Sequence, residues 1–371
     1  MRLLYNWGSF ILMPKDLKLI NPNTGNCPIF RSKRDAEITK RIYQRVPVLL
    51  NEKNGENPWG ISFQTMFHMS NDSNLFETYS NLIEKDYTLE GNVFVKGEDK
   101  WLPLYEAKMV WHYDHRFNTY LEKKPISTTK LEHQNPEYYV NPQYYVKINN
   151  IDARLGSYSK NFLLGWRDIT NATNKRTVVA SFIPKTAVGH TFLLIFLEGK
   201  SAISALICAN LNSIVFDYCA RQKTGGTHIS YNIMKQLPII PPQNYSINVK
   251  FLIIQKVIEL VYSSNDMDDF AKDMLNEIGE ETWNFWFPEN PVKNGKVNPF
   301  VWDEERRFTL QRELDAIYVH LYGLSKPDLT YILDTFPIVE KNDVEKYGFF
   351  KSKEDVLKYY DEYSEIQSYS S

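Results

Sequence analysis

Leu211-Asn212-Ser213-Ile214-Val215-Phe216-Asp217-Tyr218-Cys219-Ala220-Arg221-Gln222-Lys223-Thr224-Gly225-Gly226-Thr227-His228, followed shortly by Leu237-Pro238-Ile239-Ile240-Pro241-Pro242, is the stretch whose reading decides the fold. It predicts a helix over about 201–221. Ala202, Ala205, Ala209 and Ser213 give that helix a small-residue face, and Leu206, Leu211, Val215 and Phe216 an apolar one. Gly225-Gly226 is expected to end it, because glycine enters left-handed backbone without strain. Around the glycines stand Arg221, Lys223, Thr224, Thr227 and His228, donors suited to phosphate oxygens or base edges.

Outward from that segment the chain divides into three expected units. Residues 1–60 read as a connector, with a strand-like run at 9–13, an amphipathic helix over about 32–45 capped by Ser32, and a linker at 51–58. Residues 61–244 mix strands and turns, with strand character at 92–95 and 177–184. Residues 245–371 are mainly helical by spacing: 247–261, a second amphipathic set at 267–278, then 306–321 stopped by Gly323, and 326–336 interrupted by Pro337. The fold class expected is α+β, a mixed unit followed by a helical one.

Composition narrows the function classes. The longest apolar run, 191–197, falls far short of the roughly 20 residues that span a membrane, so it reads as a buried strand. Cys27, Cys208 and Cys219 have no metal-ligand spacing and no disulfide pattern, which fits a cytoplasmic chain with its cysteines in the core. The net charge of −2 hides an asymmetry. Between Arg154 and Lys235 ten basic residues face three acidic ones, a balance of +7, whereas from Ser264 to Ser371 twenty-three acidic residues face twelve basic ones, a balance of −11. A nucleic-acid backbone is drawn to the first stretch and repelled by the second. A merely solvated basic face is the competing reading.

The order of several motifs resembles the target-recognition region of type IIG restriction-modification adenine-N6 DNA methyltransferases, and more distantly the specificity subunits of type I systems. The opening stretch carries part of this likeness. Pro103-Leu104-Tyr105-Glu106-Ala107-Lys108-Met109 with Tyr113-Asp114-His115-Arg116-Phe117 carries more, as do Arg167-Asp168-Ile169 and Asn174-Lys175-Arg176-Thr177. Pro299-Phe300-Val301-Trp302-Asp303 and Leu314-Asp315-Ala316-Ile317-Tyr318 resemble the helical tail of that family. The family's glycine-rich cofactor loop and its Asn-Pro-Pro-Tyr/Phe catalytic tetrapeptide have no counterpart in the sequence; Asn298-Pro299-Phe300 and Asn57-Pro58-Trp59 lack the second proline.

The resemblance therefore implies a noncatalytic reader of double-stranded DNA, with no cofactor in this chain. S-adenosylmethionine would be held by an associated methyltransferase domain or subunit, in a restriction-modification or phage-defence system. Arg154, Lys160, Lys175 and Lys185 are expected to position the phosphate backbone. Arg167, Arg176, Arg221, Lys223, Thr227 and His228 are candidates to read bases, with Thr224 beside them. Two alternatives stand. Asp99 with Glu106 and Lys108 imitates the carboxylate pair and lysine of a Mg²⁺-dependent nuclease; and a protein-interaction module holding a methyltransferase would need no basic surface. His112, Asp114 and His115 read as a hydrogen-bonded cluster rather than a metal site.

Overall fold

The computed structural model describes residues 2–5, 8–11 and 13–366. The fold is α+β, with its strands in the first two hundred residues and only helices from Ile247 onward among the described residues. Of the strand expected at 9–13, Gly8–Ile11 pairs antiparallel with Arg2–Tyr5, and Leu12 lies outside the described residues. The helix Lys33–Arg45 begins as its sequence requires, with Ser32 Oγ accepting from Asp35 N at 3.0 Å and Ile38 and Ile42 buried. Residues 51–58, expected as a linker, close into a turn through two Asn51–Glu56 backbone hydrogen bonds of 2.9 and 3.0 Å. Just before it, Leu49 N donates to Leu237 O at 2.9 Å, which ties the chain after the helix Lys33–Arg45 to the proline-rich segment.

Two antiparallel sheets organise the middle of the chain. One runs in the order Phe76–Glu77, Tyr145–Lys147, Asp99–Tyr105, Val93–Lys96, Thr88–Glu90, with Ala187–Val188 added parallel to the end of Asp99–Tyr105. The other runs Ala180–Pro184, Phe162–Arg167, Phe192–Leu197, Ile61–Gln64. Side chains alternate across a strand, and here both faces are covered. Leu164, Trp166, Phe182 and Ile195 join the core shared with the helices, while Leu163, Ile183 and Leu194 join the core between the sheets. That double burial explains why Phe192–Leu197 is apolar without alternation.

The helix expected over 201–221 is two helices, Ile203–Asn212 and Ile214–Arg221, bent by 56°. The break has a local cause. Ser213 leaves helical backbone, its Oγ donates to Asn210 O at 2.8 Å, and it accepts from Phe216 N, so it caps the second helix. Asp315 accepts from Ile214 N at 2.7 Å, and Asn212 is bonded to both backbone groups of Ala180, at 3.0 and 2.9 Å. Nor do the glycines stop the helix: neither Gly225 nor Gly226 has positive φ. The end is closed instead by Thr224, whose hydroxyl donates to Ala220 O at 2.8 Å. Both helices are buried except at Ile203, and no single described helix is long and apolar enough to cross a membrane.

The helices Ile247–Val261, Asp268–Ile278 and Glu304–Leu321 follow the expected spacing, and Gly323, at φ +67°, ends the last of them. Pro337 does not interrupt a helix. The preceding one ends at Asp334, and Pro337 opens Pro337–Tyr347 at its first position, where a missing N–H costs nothing. A single apolar core holds Ile38, Trp166 and Ile317, one from each of the expected units.

Candidate functional site

The sheet sorts the expected DNA-contacting residues by end. Phe162 pairs with Pro184 and Trp166 with Ala180, so Lys160 and Lys185 flank one end of this sheet while Arg167, Lys175 and Arg176 stand at the other, roughly 20 Å along the strand direction. The Gly225-Gly226 segment comes to the Arg167 end. Thr170 N donates to Thr227 O at 2.9 Å, and Ile229 N to Asp168 O at 2.8 Å.

Five of the expected contacts are built into the interior, and in all but Lys160 the donors are engaged there. Arg221 Nε donates to Asp217 Oδ2 at 3.2 Å, its Nη2 to the carbonyls of Asn174 and Lys175, its Nη1 to Thr335 O, and its guanidinium lies 3.9 Å from the Phe336 ring. Lys223 Nζ is bonded to Ile20 O, Asn21 Oδ1 and Gln236 O, and burial holds its ammonium well below the usual lysine range. Thr224 is spent on the helix end. Arg176 is buried against Asp217 and Asn212 O. Lys160 is 7% exposed, and its Nζ has no hydrogen-bond partner; burial pulls its ammonium down, opposed by the charges of Glu277 and Asp273. The sequence could not mark these as interior, because a cation on a predicted helix end looks the same whether carbonyls or solvent surround it.

The others remain at or near the surface. Arg154 pairs with Asp72 at 2.8 Å and lies over Phe67. Lys185 is half-buried, Thr227 exposed, and His228 more than half exposed with its Nδ1 2.7 Å from Asp168 Oδ2. Asp168 Oδ1 is buried with no partner. Beside it Arg167 makes no ion pair and no side-chain hydrogen bond to any described residue. Its guanidinium lies 5.5 Å from the Trp111 ring centre, its Nε is buried without an acceptor, and desolvation pulls its pKa down. Burying a charge without a partner costs several kcal/mol by itself, on the order of a lost salt bridge.

From Trp111 the surface continues into a cleft of about 410 Å³ between the middle sheets and the C-terminal helices. Behind it Arg116 is fully buried and donates to the carbonyls of Asn135, Tyr138, His133 and Ser263 at 2.8–3.2 Å. That guanidinium satisfies carbonyls at the end of the helix Lys130–Gln134 and in the turn after it. The His112 cluster is hydrogen-bonded, as expected: His112 Nε2 to Val178 O at 2.8 Å, His133 Nε2 to Asp114 at 3.2 Å, His115 Nε2 to Asp266 at 2.9 Å. Among the described residues no cluster of three or more His, Cys, Asp or Glu side chains is placed to hold a metal.

The nuclease-like triplet is not assembled. Asp99 and Glu106 sit at opposite ends of the strand Asp99–Tyr105, about 20 Å apart at strand rise. Asp99 is paired with Lys147 at 2.8 Å, and Glu106 accepts from Tyr120 OH and lies 3.4 Å from Lys108. The sequence marks Asp168 only within the motif Arg167-Asp168-Ile169 and gives no signal for Trp111 beside Arg167 or for Lys130 on the cleft. No protein-family model matches the chain, and comparison with curated proteins and with solved structures gives no match.

Proposed function

We propose that this chain reads double-stranded DNA through the Arg167 end of its four-stranded sheet, without catalysing a reaction itself, on behalf of an adenine-N6 methyltransferase domain or subunit. S-adenosylmethionine and the catalytic tetrapeptide belong to that partner. The observation that carries this reading is Arg167. A half-buried guanidinium that no described residue satisfies is poised for an outside acceptor, and phosphate oxygens or the O6/N7 edge of guanine supply two at once. Asp168 and His228 lie next to it, joined by the 2.7 Å contact of His228 Nδ1 with Asp168 Oδ2, and the exposed imidazole adds a second polar group beside the guanidinium. The motif order in the sequence supports the reading independently of this geometry.

The test is selection of a preferred duplex from a random pool, with the partner methyltransferase present, followed by anisotropy titration of variants. Arg167→Ala should weaken the selected duplex by about 1–3 kcal/mol and relax preference at one base pair. It should leave the melting temperature unchanged or raised, since the native fold gains no hydrogen bond from the side chain. Full affinity and full preference in Arg167→Ala would remove the reading.

A further inference from the structure

The cleft beside Trp111 carries unspent polar groups of its own. It is lined on the sheet side by Trp111 and Phe117 and on the helical side by Leu333, Val339 and Phe350. Its volume of about 410 Å³ lies within the roughly 300–1,000 Å³ of small-ligand sites. Most charges along it are consumed internally. Asp315 takes Arg312 at 3.0 Å and Ile214 N, Asp343 takes Ser352 N, Asp114 takes His133, and Arg307 lies 3.6 Å from the Trp302 ring with its donors on Leu260 O and Tyr113 O.

What remains is mostly donor. Lys175 and Lys130 line the cleft, are exposed, and make no ion pair or hydrogen bond to a described residue. Thr128 Oγ1 is buried with no partner. Arg176, nine-tenths buried, has its Nε and Nη2 on Asp217 and Asn212 and its Nη1 on nothing described. Although Lys175 reaches solvent, its ammonium is held below the usual lysine range, first by desolvation and then by the like charge of Arg312. A cation in that position gains from an anion. One unpaired acid, Glu304, stands on the rim.

We propose that this cleft binds a nucleotide unit, its phosphate held by Lys175 and Lys130 with the Thr128 hydroxyl, and its base against the apolar helical wall. A volume of about 410 Å³ takes one such unit and not a duplex, so this ligand is distinct from the DNA read by the Arg167 end, with Lys175 on the border of the two. A free mononucleotide and the phosphorylated end of a strand present the same chemistry.

Calorimetric titration of the whole chain, without duplex, with AMP, adenosine, inorganic phosphate and a 5′-phosphorylated dinucleotide tests it. Saturable AMP binding is expected, about tenfold tighter than either adenosine or phosphate alone, because each of those lacks half of the contacts. Lys175→Glu and Lys130→Glu, both exposed and without internal partners, should each weaken AMP by about tenfold or more, and Glu304→Gln should tighten it. Binding of AMP but not the dinucleotide identifies a free nucleotide as the ligand; binding of the dinucleotide alone identifies a strand end. No saturable binding of either at millimolar concentration, or binding indifferent to both lysine variants, overturns the proposal. Arg167→Ala serves as the control that separates the two readings, since it should lose duplex preference and keep AMP.

Discussion

Asp217 and Arg221 face each other one helical turn apart, Arg221 Nε donating to Asp217 Oδ2 at 3.2 Å inside a carboxylate shell that also takes the backbone N–H of Thr177 and Val178 at 2.7 Å each. The pair locks the segment after Asn174 onto the second of the bent helices, and so fixes how Lys175 meets the cleft. Removing the guanidinium leaves a fully buried carboxylate with one cation fewer, Arg176 at 3.5 Å. Arg221→Ala should therefore cost about 3–5 kcal/mol in a urea titration. Duplex preference in the fraction that stays folded should be unchanged. A stable Arg221→Ala variant with altered sequence preference would return this arginine to the DNA surface.

Two glycines that look alike in sequence should behave oppositely. A Cβ on Gly165 would fall 2.5 Å from Leu193 O and 2.6 Å from the Phe192 ring, within the sheet where neither backbone nor ring can step aside. Gly165→Ala is expected to destabilise by about 1–3 kcal/mol through overpacking. Gly226 has open space around its Cβ position and φ outside the left-handed region. Gly226→Ala should then be neutral, or stabilising by up to about 1 kcal/mol through the unfolded chain. Thermal melts of the two variants side by side decide the matter; a costly Gly226→Ala would mean that the hinge is strained after all.

Periodicity and end signals carried most of the fold because they are local. Ser32 caps its helix, Phe192–Leu197 is a buried strand, and Gly323 ends the helix Glu304–Leu321, each for a reason contained in a few residues. The break at Ser213 was not local. It depends on Asp315, about a hundred residues on, taking Ile214 N, and on Asn212 reaching across to Ala180. The site was hidden in the same way. Arg167 and Arg221 are equal as letters, and only tertiary packing assigns carbonyls and Asp217 to one and a bare Trp111 ring to the other. Charge balance pointed to a stretch of the chain but could not tell spent cations from free ones.

Stability should fall with acid before the carboxylates titrate. Burial holds His112 well below the ordinary imidazole range, with Arg176 adding to the effect, while His190 and His320 are pulled down more mildly by desolvation. In the unfolded chain these side chains take up protons below about pH 6.5, whereas folded His112 stays neutral. The stabilisation is thus complete above that pH and is lost as pH falls below it, by up to about 1.4 kcal/mol per pH unit for each such group. Urea midpoints measured at neutral and mildly acidic pH should show this slope, and His112→Gln, which keeps a donor for Val178 O, should reduce it by one proton's share. An unchanged slope in His112→Gln would place the titrating group elsewhere.

Salt dependence should distinguish the two ends of the four-stranded sheet. Duplex affinity falls with salt at a log-log slope of about −0.9 for each phosphate neutralised. If the Arg167 end meets DNA, Lys175, free of internal partners at that end, neutralises a phosphate, and Lys175→Ala should flatten the slope by about one unit while weakening all duplexes alike. Lys185 follows the strand Ala180–Pro184 at the opposite end of the sheet, roughly 20 Å from Arg167 along the strands. Lys185→Ala should leave both slope and affinity unchanged. The reverse pattern, a flattened slope for Lys185→Ala and none for Lys175→Ala, would turn the duplex to the other end of the sheet, where the buried ammonium of Lys160 has no partner to offer it.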